Sequence, residues 1–244
     1  MPPAPLAGPL PSSETKGIFV TGTDTGVGKT RVATLLLREF ASRGWRVVGM
    51  KPVAAGALRT PKGLCNEDVE ALTEASNVRA SRDLVNPYCF EPPLAPHLAA
   101  EMAGTPIRIE IITRAYAALA ARTDLVVVEG AGGLLVPLDA DRDFADLAQA
   151  LALPLVLVVG MRLGCLNHAL LSADVANRRG LSLVAWVANT LDPDMLVFDR
   201  NLETLQHRLP MPLLGVVPYG PSDTQSKGPN WNLDLLTSRS LADH

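Results

Sequence analysis

"VTGTDTGVGKT", Val20–Thr30, joins an apolar run to a helical pattern through a Gly-rich turn. It follows the apolar run "GIFVTG", Gly17–Gly22, and leads into a helical pattern from Lys29 to Ser42. Val32, Leu35, Leu36 and Phe40 recur there with helical spacing and give that stretch one apolar face. A strand, a Gly-rich turn and a helix form the setting in which Gly-Lys-Thr reads as a phosphate-binding loop. The usual loop has four residues between its first Gly and its Gly-Lys-Ser/Thr, whereas five separate Gly22 from Gly28 here. The extra residue widens the loop and leaves its working end intact.

The physics of such a loop is simple. N–H groups at a helix start have no partner within the helix, and the helix dipole favours an anion there. Gly22, Gly26 and Gly28 let the backbone wrap a phosphate, Lys29 reaches the β- and γ-phosphates, and the Thr30 hydroxyl suits Mg2+. The segment is read as a nucleotide site.

Length and composition set the frame. The chain has 244 residues, 48% of them hydrophobic, enough for one α/β domain with a sizeable core. A net charge of −3 without a long basic run argues against nucleic acid or an anionic membrane as the main partner. No apolar run approaches the ~20 residues of a membrane span. Cys65, Cys89 and Cys165 are widely spaced, without a CxxC pair, and read as reduced thiols of a cytoplasmic protein. The Pro- and Ser-rich start, residues 1–16, lacks the pattern of a secretory signal and is expected to be a disordered leader, with a single domain over 17–244.

The apolar runs "WRVVGMKPV", "DLVVVEG", "LPLVLVVG", "LSLVAWVAN" and "PLLGVVP" supply the further strands, and "NEDVEALTEAS" has helical character. Near-continuous Val and Leu, rather than alternation, suits strands buried on both faces of a parallel sheet. Strands alternating with helices predict a doubly wound, mostly parallel α/β fold with helices on both faces. Ligands of such folds sit beyond the carboxyl ends of the strands. Glu129 ends one strand there, beside Gly130, Gly132 and Gly133, and is a candidate Mg2+ ligand. Asp68 is a second, although an acid in a first helical turn is also favoured by the dipole alone. Lys51 ends strand two on the same side, either as a surface charge or as a clamp for a transferring phosphoryl group. His97 and His168 read as polar contacts rather than a dyad.

Taken together, "VTGTDTGVGKT", "KPVAAG", "NPYCF", "VEGAGGLLVPL", "LGCLNHALL" and "WVAN" resemble the dethiobiotin synthetase family, from about Gly17 to Pro218. The long loop spacing is itself a mark of that family. The resemblance implies a fold of the P-loop NTPase type and a homodimer with active sites at the subunit interface. It implies 7,8-diaminononanoate and CO2 as substrates, with ATP and Mg2+. A substrate amine forms a carbamate, whose oxygen attacks the γ-phosphate. The second amine then closes the ring and expels phosphate.

Roles follow from the same resemblance. Thr25, Gly26, Val27, Gly28, Lys29 and Thr30 would hold phosphates, and Thr30, Asp68 and Glu129 would gather around Mg2+. Lys29 and Lys51 would be catalytic, stabilising charge during phosphoryl transfer. Asn189 would recognise the adenine edge, with backbone near Val217 to Tyr219, including Pro218, completing the base pocket. Substrate would meet Thr25, Lys51 and Gly132, while Gly164, Cys165, Leu166 and Asn167 of the neighbouring subunit would take its carboxylate at a helix start. Two departures stand out: Ala55 where members often carry Ser, and Gly26 where some carry Glu.

Three other readings compete. A nucleotide switch of the partitioning or metal-delivery kind usually has a second lysine early in the loop, where this chain has Asp24. A small-molecule kinase needs the same clamp but releases a phosphorylated product. An inactive paralogue fits poorly with retained Lys29, Thr30, Lys51, Asp68 and Glu129.

Overall fold

In the computed structural model, the expected Val- and Leu-rich runs form a six-stranded sheet in which every pairing is parallel. The structure describes residues 16–61, 63–220 and 229–237. Apart from Lys16, the expected leader lies outside them. Across the sheet the strands run Leu213–Val217, Leu183–Thr190, Leu155–Met161, Gly17–Gly22, Leu125–Glu129 and Val47–Met50. The phosphate-loop strand is therefore internal, with Val20 in register with Glu129 on one side and Gly22 with Val158 on the other.

The two faces divide the apolar residues by strand alternation. Ile18, Val20, Val127 and Val156 pack with Val32, Leu36 and Leu72, from helices Lys29–Ser42 and Glu67–Ala75. Phe19, Val126 and Val128 face the other way, against Ile112 and Leu119 of helix Ile109–Ala120 and Phe144 and Leu147 of helix Phe144–Leu151. A third cluster joins Leu157, Val159 and Trp186 to Ala169 and Leu205 from helices Cys165–Arg178 and Phe198–Arg208. Each fully buried Leu in these layers contributes on the order of 2 kcal/mol, so the sheet is a stiff base for whatever stands at its edge.

Strand two is shorter than its apolar run. It ends at Met50, because the Lys51 N–H bonds to the Val85 carbonyl (2.8 Å) and Pro52 has no N–H to extend the ladder. The chain leaves the main sheet there, and Val53–Ala54 pairs instead with Tyr88–Cys89. The Gly- and Pro-containing stretch beyond it holds a small hairpin, Leu58–Thr60 against Gly63–Cys65. Among the described residues no helix is long and apolar enough to cross a membrane.

Candidate active site

The phosphate loop leaves the sheet at Gly22 and enters helix Lys29–Ser42 at Gly28. Gly26 and Gly28 are both left-handed, with φ of +73° and +88°, a backbone that residues with a Cβ rarely adopt. Gly28 carries no side chain to cap the helix, which leaves the first-turn N–H groups turned to the loop, as an anion site requires. Lys29 Nζ donates to the Asp24 carbonyl at 2.8 Å. Its pKa falls to about 8, chiefly by burial and then by the nearby Lys51 charge, against the pull of Glu129, Asp68 and Asp24.

Beside the loop, Lys51 and two carboxylates meet around Thr30, within range of the Lys29 charge. The Thr30 hydroxyl lies 2.7 Å from Asp68 Oδ1 and 2.8 Å from Glu129 Oε1. It has one proton, so it can donate to only one of them. Lys51 Nζ reaches Glu129 Oε1 at 2.6 Å, Asp68 Oδ2 at 3.0 Å and the Gly130 carbonyl at 3.2 Å. Lys51 is 4% exposed and Glu129 1%. Burial alone would lower the Lys51 pKa, but the Glu129 and Asp68 charges outweigh it and hold the ammonium protonated. Burial pushes Glu129 up, with Lys51 opposing that shift. Burial pushes Asp68 the same way, yet Lys51 and the Thr30 hydroxyl bring it below the ordinary carboxylate range.

This donor set fits Mg2+. Thr30 Oγ1 and two carboxylates offer hard oxygens, and Mg2+ needs only one or two carboxylates besides water and phosphate. Glu129 Oε2 is buried without a hydrogen-bond partner, an acceptor whose desolvation a cation would offset.

Asp68 is both a first-turn acid and a member of the cluster. Asn66 caps helix Glu67–Ala75, its Oδ1 accepting from the N–H groups of Asp68 (3.1 Å) and Val69 (3.4 Å). Its Nδ2 donates to the Ala55 carbonyl at 3.1 Å, tying the cap to the segment after Lys51. Asn86 performs a similar task, with Nδ2 on the Lys51 carbonyl (2.7 Å) and the Tyr88 carbonyl (2.9 Å). Arg162 pairs with Asp24 at 2.9 Å, so the acid in place of a switch lysine is held by the end of a neighbouring strand. None of Asn66, Asn86 or Arg162 was assigned a role from sequence. An Asn ahead of a run of acids is a readable cap signal, whereas the other two contacts leave no local trace.

Three adjoining cavities open here. One of about 700 Å³ is lined by Thr25, Gly26, Gly28, Lys29, Thr30, Lys51, Ala55, Asp68, Glu129 and Gly132 among others, which unites most of the expected site. A second, about 370 Å³, continues from Thr25 and Gly132 to Leu135 and Leu171. A third, about 470 Å³, runs from Gly28 and Thr30 past Arg38 and Asn189 to Tyr219 and Gly220. Val27 is buried, and only its backbone is available to the loop. Pro218 is exposed and lines none of the three cavities, while its neighbours Tyr219 and Gly220 do. Gly164, Cys165, Leu166 and Asn167 begin helix Cys165–Arg178 and also line none of them. Nor do His97 and His168.

A family model described as "AAA domain" matches residues 16–227. A protein of Nitrosospira multiformis is 54% identical over 204 residues, covering 84% of this chain and 88% of its own. One of Xanthomonas oryzae pv. oryzae is 50% identical over 203 residues, 83% of this chain and 91% of its own. One of Aromatoleum aromaticum is 49% identical over 207 residues, 85% and 92%. All three are named ATP-dependent dethiobiotin synthetase BioD. Among solved structures, the septum site-determining protein MinD of Pyrococcus horikoshii, complexed with Mg-ADP, gives a TM-score of 0.54 at 16% identity, covering 90% of this chain and 93% of that one. Chloroplast FtsY of Physcomitrella patens gives 0.52 at 18%, covering 88% and 62%. At such identities these two show the fold alone.

Proposed function

The chain belongs to the dethiobiotin synthetase family, the ATP-dependent ligases of biotin biosynthesis, and we propose how its own residues divide that work. The observation that carries the reading is the meeting of Thr30, Lys51, Asp68 and Glu129 beside a left-handed Gly26–Gly28 loop. That arrangement suits a phosphoryl transfer governed by positioning and charge.

In this reading, the loop backbone from Thr25 to Thr30 cradles the phosphates of ATP. Thr30, Asp68 and Glu129 hold Mg2+, which when bound neutralises charge on the phosphate oxygens. Lys29 and Lys51 flank the γ-phosphate and the substrate carbamate. Both act as fixed charges, because the carbamate oxygen is itself the nucleophile. Gly132 and Thr25 border the side from which 7,8-diaminononanoate approaches, and the second amine then displaces phosphate as the ring closes. Asn189 and the backbone around Pro218 border the base, toward the cavity with Tyr219.

The same reading makes residues 17–244 one ligase domain that works as a homodimer in the cytoplasm. Exposed apolar residues favour the dimer: Leu163 is 97% exposed, Leu171 56% and Leu135 54%. Leu163 adjoins Gly164–Asn167, whose helix start would offer its N–H groups to the partner's substrate carboxylate. The three cysteines are free thiols, as a reducing compartment would keep them.

Thr30→Val should weaken apparent Mg2+ affinity by about 10- to 100-fold, the scale of a lost contact to a charged group, and lower turnover with it. A metal titration that overlays wild type would remove Thr30 from the site. Ala55 lines the cleft where relatives with Ser would present a hydroxyl. Ala55→Ser should raise kcat/KM for the diamine by about 2- to 10-fold, one net hydrogen bond. Unchanged steady-state kinetics would mean that this contact is already made in another way.

The test of the whole reading is incubation with MgATP, 13C-bicarbonate and 7,8-diaminononanoate, followed by mass spectrometry. Labelled cyclic urea in step with phosphate supports it. A phosphorylated diamine without a ring would instead establish the kinase reading.

A further inference from the structure

Asn189 sits near the end of strand Leu183–Thr190, 1% exposed, at the point where the nucleotide cleft meets the phosphate loop. Its amide does not simply point into the cleft. Nδ2 donates to the Val27 carbonyl at 2.8 Å, and Oδ1 lies 3.5 Å from Arg31 Nη1. Val27 is the residue between the two left-handed glycines, Gly26 and Gly28. A Cβ on Gly28 would run into Asn189 Nδ2, so the amide packs directly against the residue that opens the helix. The Val27 side chain packs closely over Gly160, where a Cβ would come within 3.0 Å of its Cγ1. A buried amide in this position fixes the curvature of the loop, because giving up the bond would leave a buried carbonyl unpaired.

We propose that Asn189 is a positioning residue for the triphosphate. It braces Val27, and through it the Gly26–Gly28 arch, in the curve that meets the phosphates. The brace couples the base end of the cleft to the phosphate end, so that Asn189 acts on phosphate binding even when no base is present. The proposal rests on the reading of the loop as an ATP site.

The experiment separates the two ends of the nucleotide. Binding of Mg-tripolyphosphate, which has no base, and of MgATP is measured by calorimetry for wild type, Asn189→Ala and Asn189→Asp. Alanine removes the donor, and aspartate keeps the size while facing the Val27 carbonyl with acceptors only. Both variants should lose about tenfold in tripolyphosphate affinity, the scale of one buried hydrogen bond, and at least as much for ATP. Tripolyphosphate affinity that stays at the wild-type value while ATP affinity falls would make Asn189 a reader of the base alone and overturn the brace. A lowered melting temperature with unchanged affinities overturns it equally. Wild-type protein that binds neither ligand would overturn the nucleotide reading itself, and the brace with it. If the variants do not fold, a crystal structure of the wild type with Mg-tripolyphosphate decides. An amide still bonded to the Val27 carbonyl supports the proposal, and one turned away sinks it.

Discussion

Lys51→Gln should lower the rate of ring closure by about 10²- to 10³-fold, the scale of removing one preorganised charge from a transition state. ATP affinity should change far less, because Lys29 and the loop backbone remain. Glutamine can still reach Glu129, but it carries no charge. The substitution also strands Glu129, which is 1% exposed and 2.6 Å from the lysine it would lose. Breaking a buried pair in this way typically costs about 3–5 kcal/mol. The melting temperature should therefore drop without metal and recover in part when Mg2+ is added, as the cation takes over the role of counter-charge. Wild-type turnover in this variant would remove Lys51 from the chemistry. An equal loss in ATP affinity and in turnover would make it a binding residue only.

Glu129→Gln should be comparably severe, by about 10²- to 10³-fold in turnover, for a different reason. Glu129 shares one oxygen between Thr30 and Lys51 and holds a second, buried oxygen without a partner. The amide keeps the shape and removes the charge, so apparent Mg2+ affinity should fall with the rate. Asp68 would then be the main counter-charge for Lys51, 3.0 Å away, while burial continues to favour the neutral amine. Since the protonated ammonium is the active form, residual activity of the variant should decline as pH rises, and from a lower pH than in wild type. A variant with an unshifted Mg2+ titration would place the metal elsewhere.

The legible part of this protein is what lies within a few residues of a strand end. Gly22 closes one strand and Lys29 and Thr30 follow it, Lys51 follows a second and Glu129 closes a third, and a parallel sheet brings such ends to one edge. Helix Lys29–Ser42 came out with its expected bounds because its apolar spacing is unbroken. The expected strand two runs past the observed one because Val53 continues the apolar run while Pro52 ends the ladder. Helix Phe144–Leu151 rests on reciprocal bonds between Asp143 and Asp146, a short capping box that a search for long apolar periods passes over.

What was not legible is contact across the fold. Asp24 and Arg162 are 138 residues apart, and Val27 and Asn189 162. Those pairs depend on how strands are ordered in the sheet, and sequence periodicity carries no trace of that order. Asn189 illustrates the limit. Resemblance implies a place beside adenine, and the 2.8 Å bond from its amide to the Val27 carbonyl is a further contact that no local pattern announces.

The fate of one oxygen atom distinguishes a carbamate nucleophile from any other phosphoryl acceptor. If Lys29 and Lys51 flank a carbamate that attacks the γ-phosphate, an oxygen that entered with CO2 must leave on phosphate. Freshly dissolved 18O-bicarbonate would be turned over with MgATP and 7,8-diaminononanoate before its label exchanges with water, and the phosphate released would be weighed by mass spectrometry. One 18O in the phosphate for each ring formed is the expected result. Ring formation with unlabelled phosphate would contradict it, since the γ-phosphate would then have been transferred to some other acceptor.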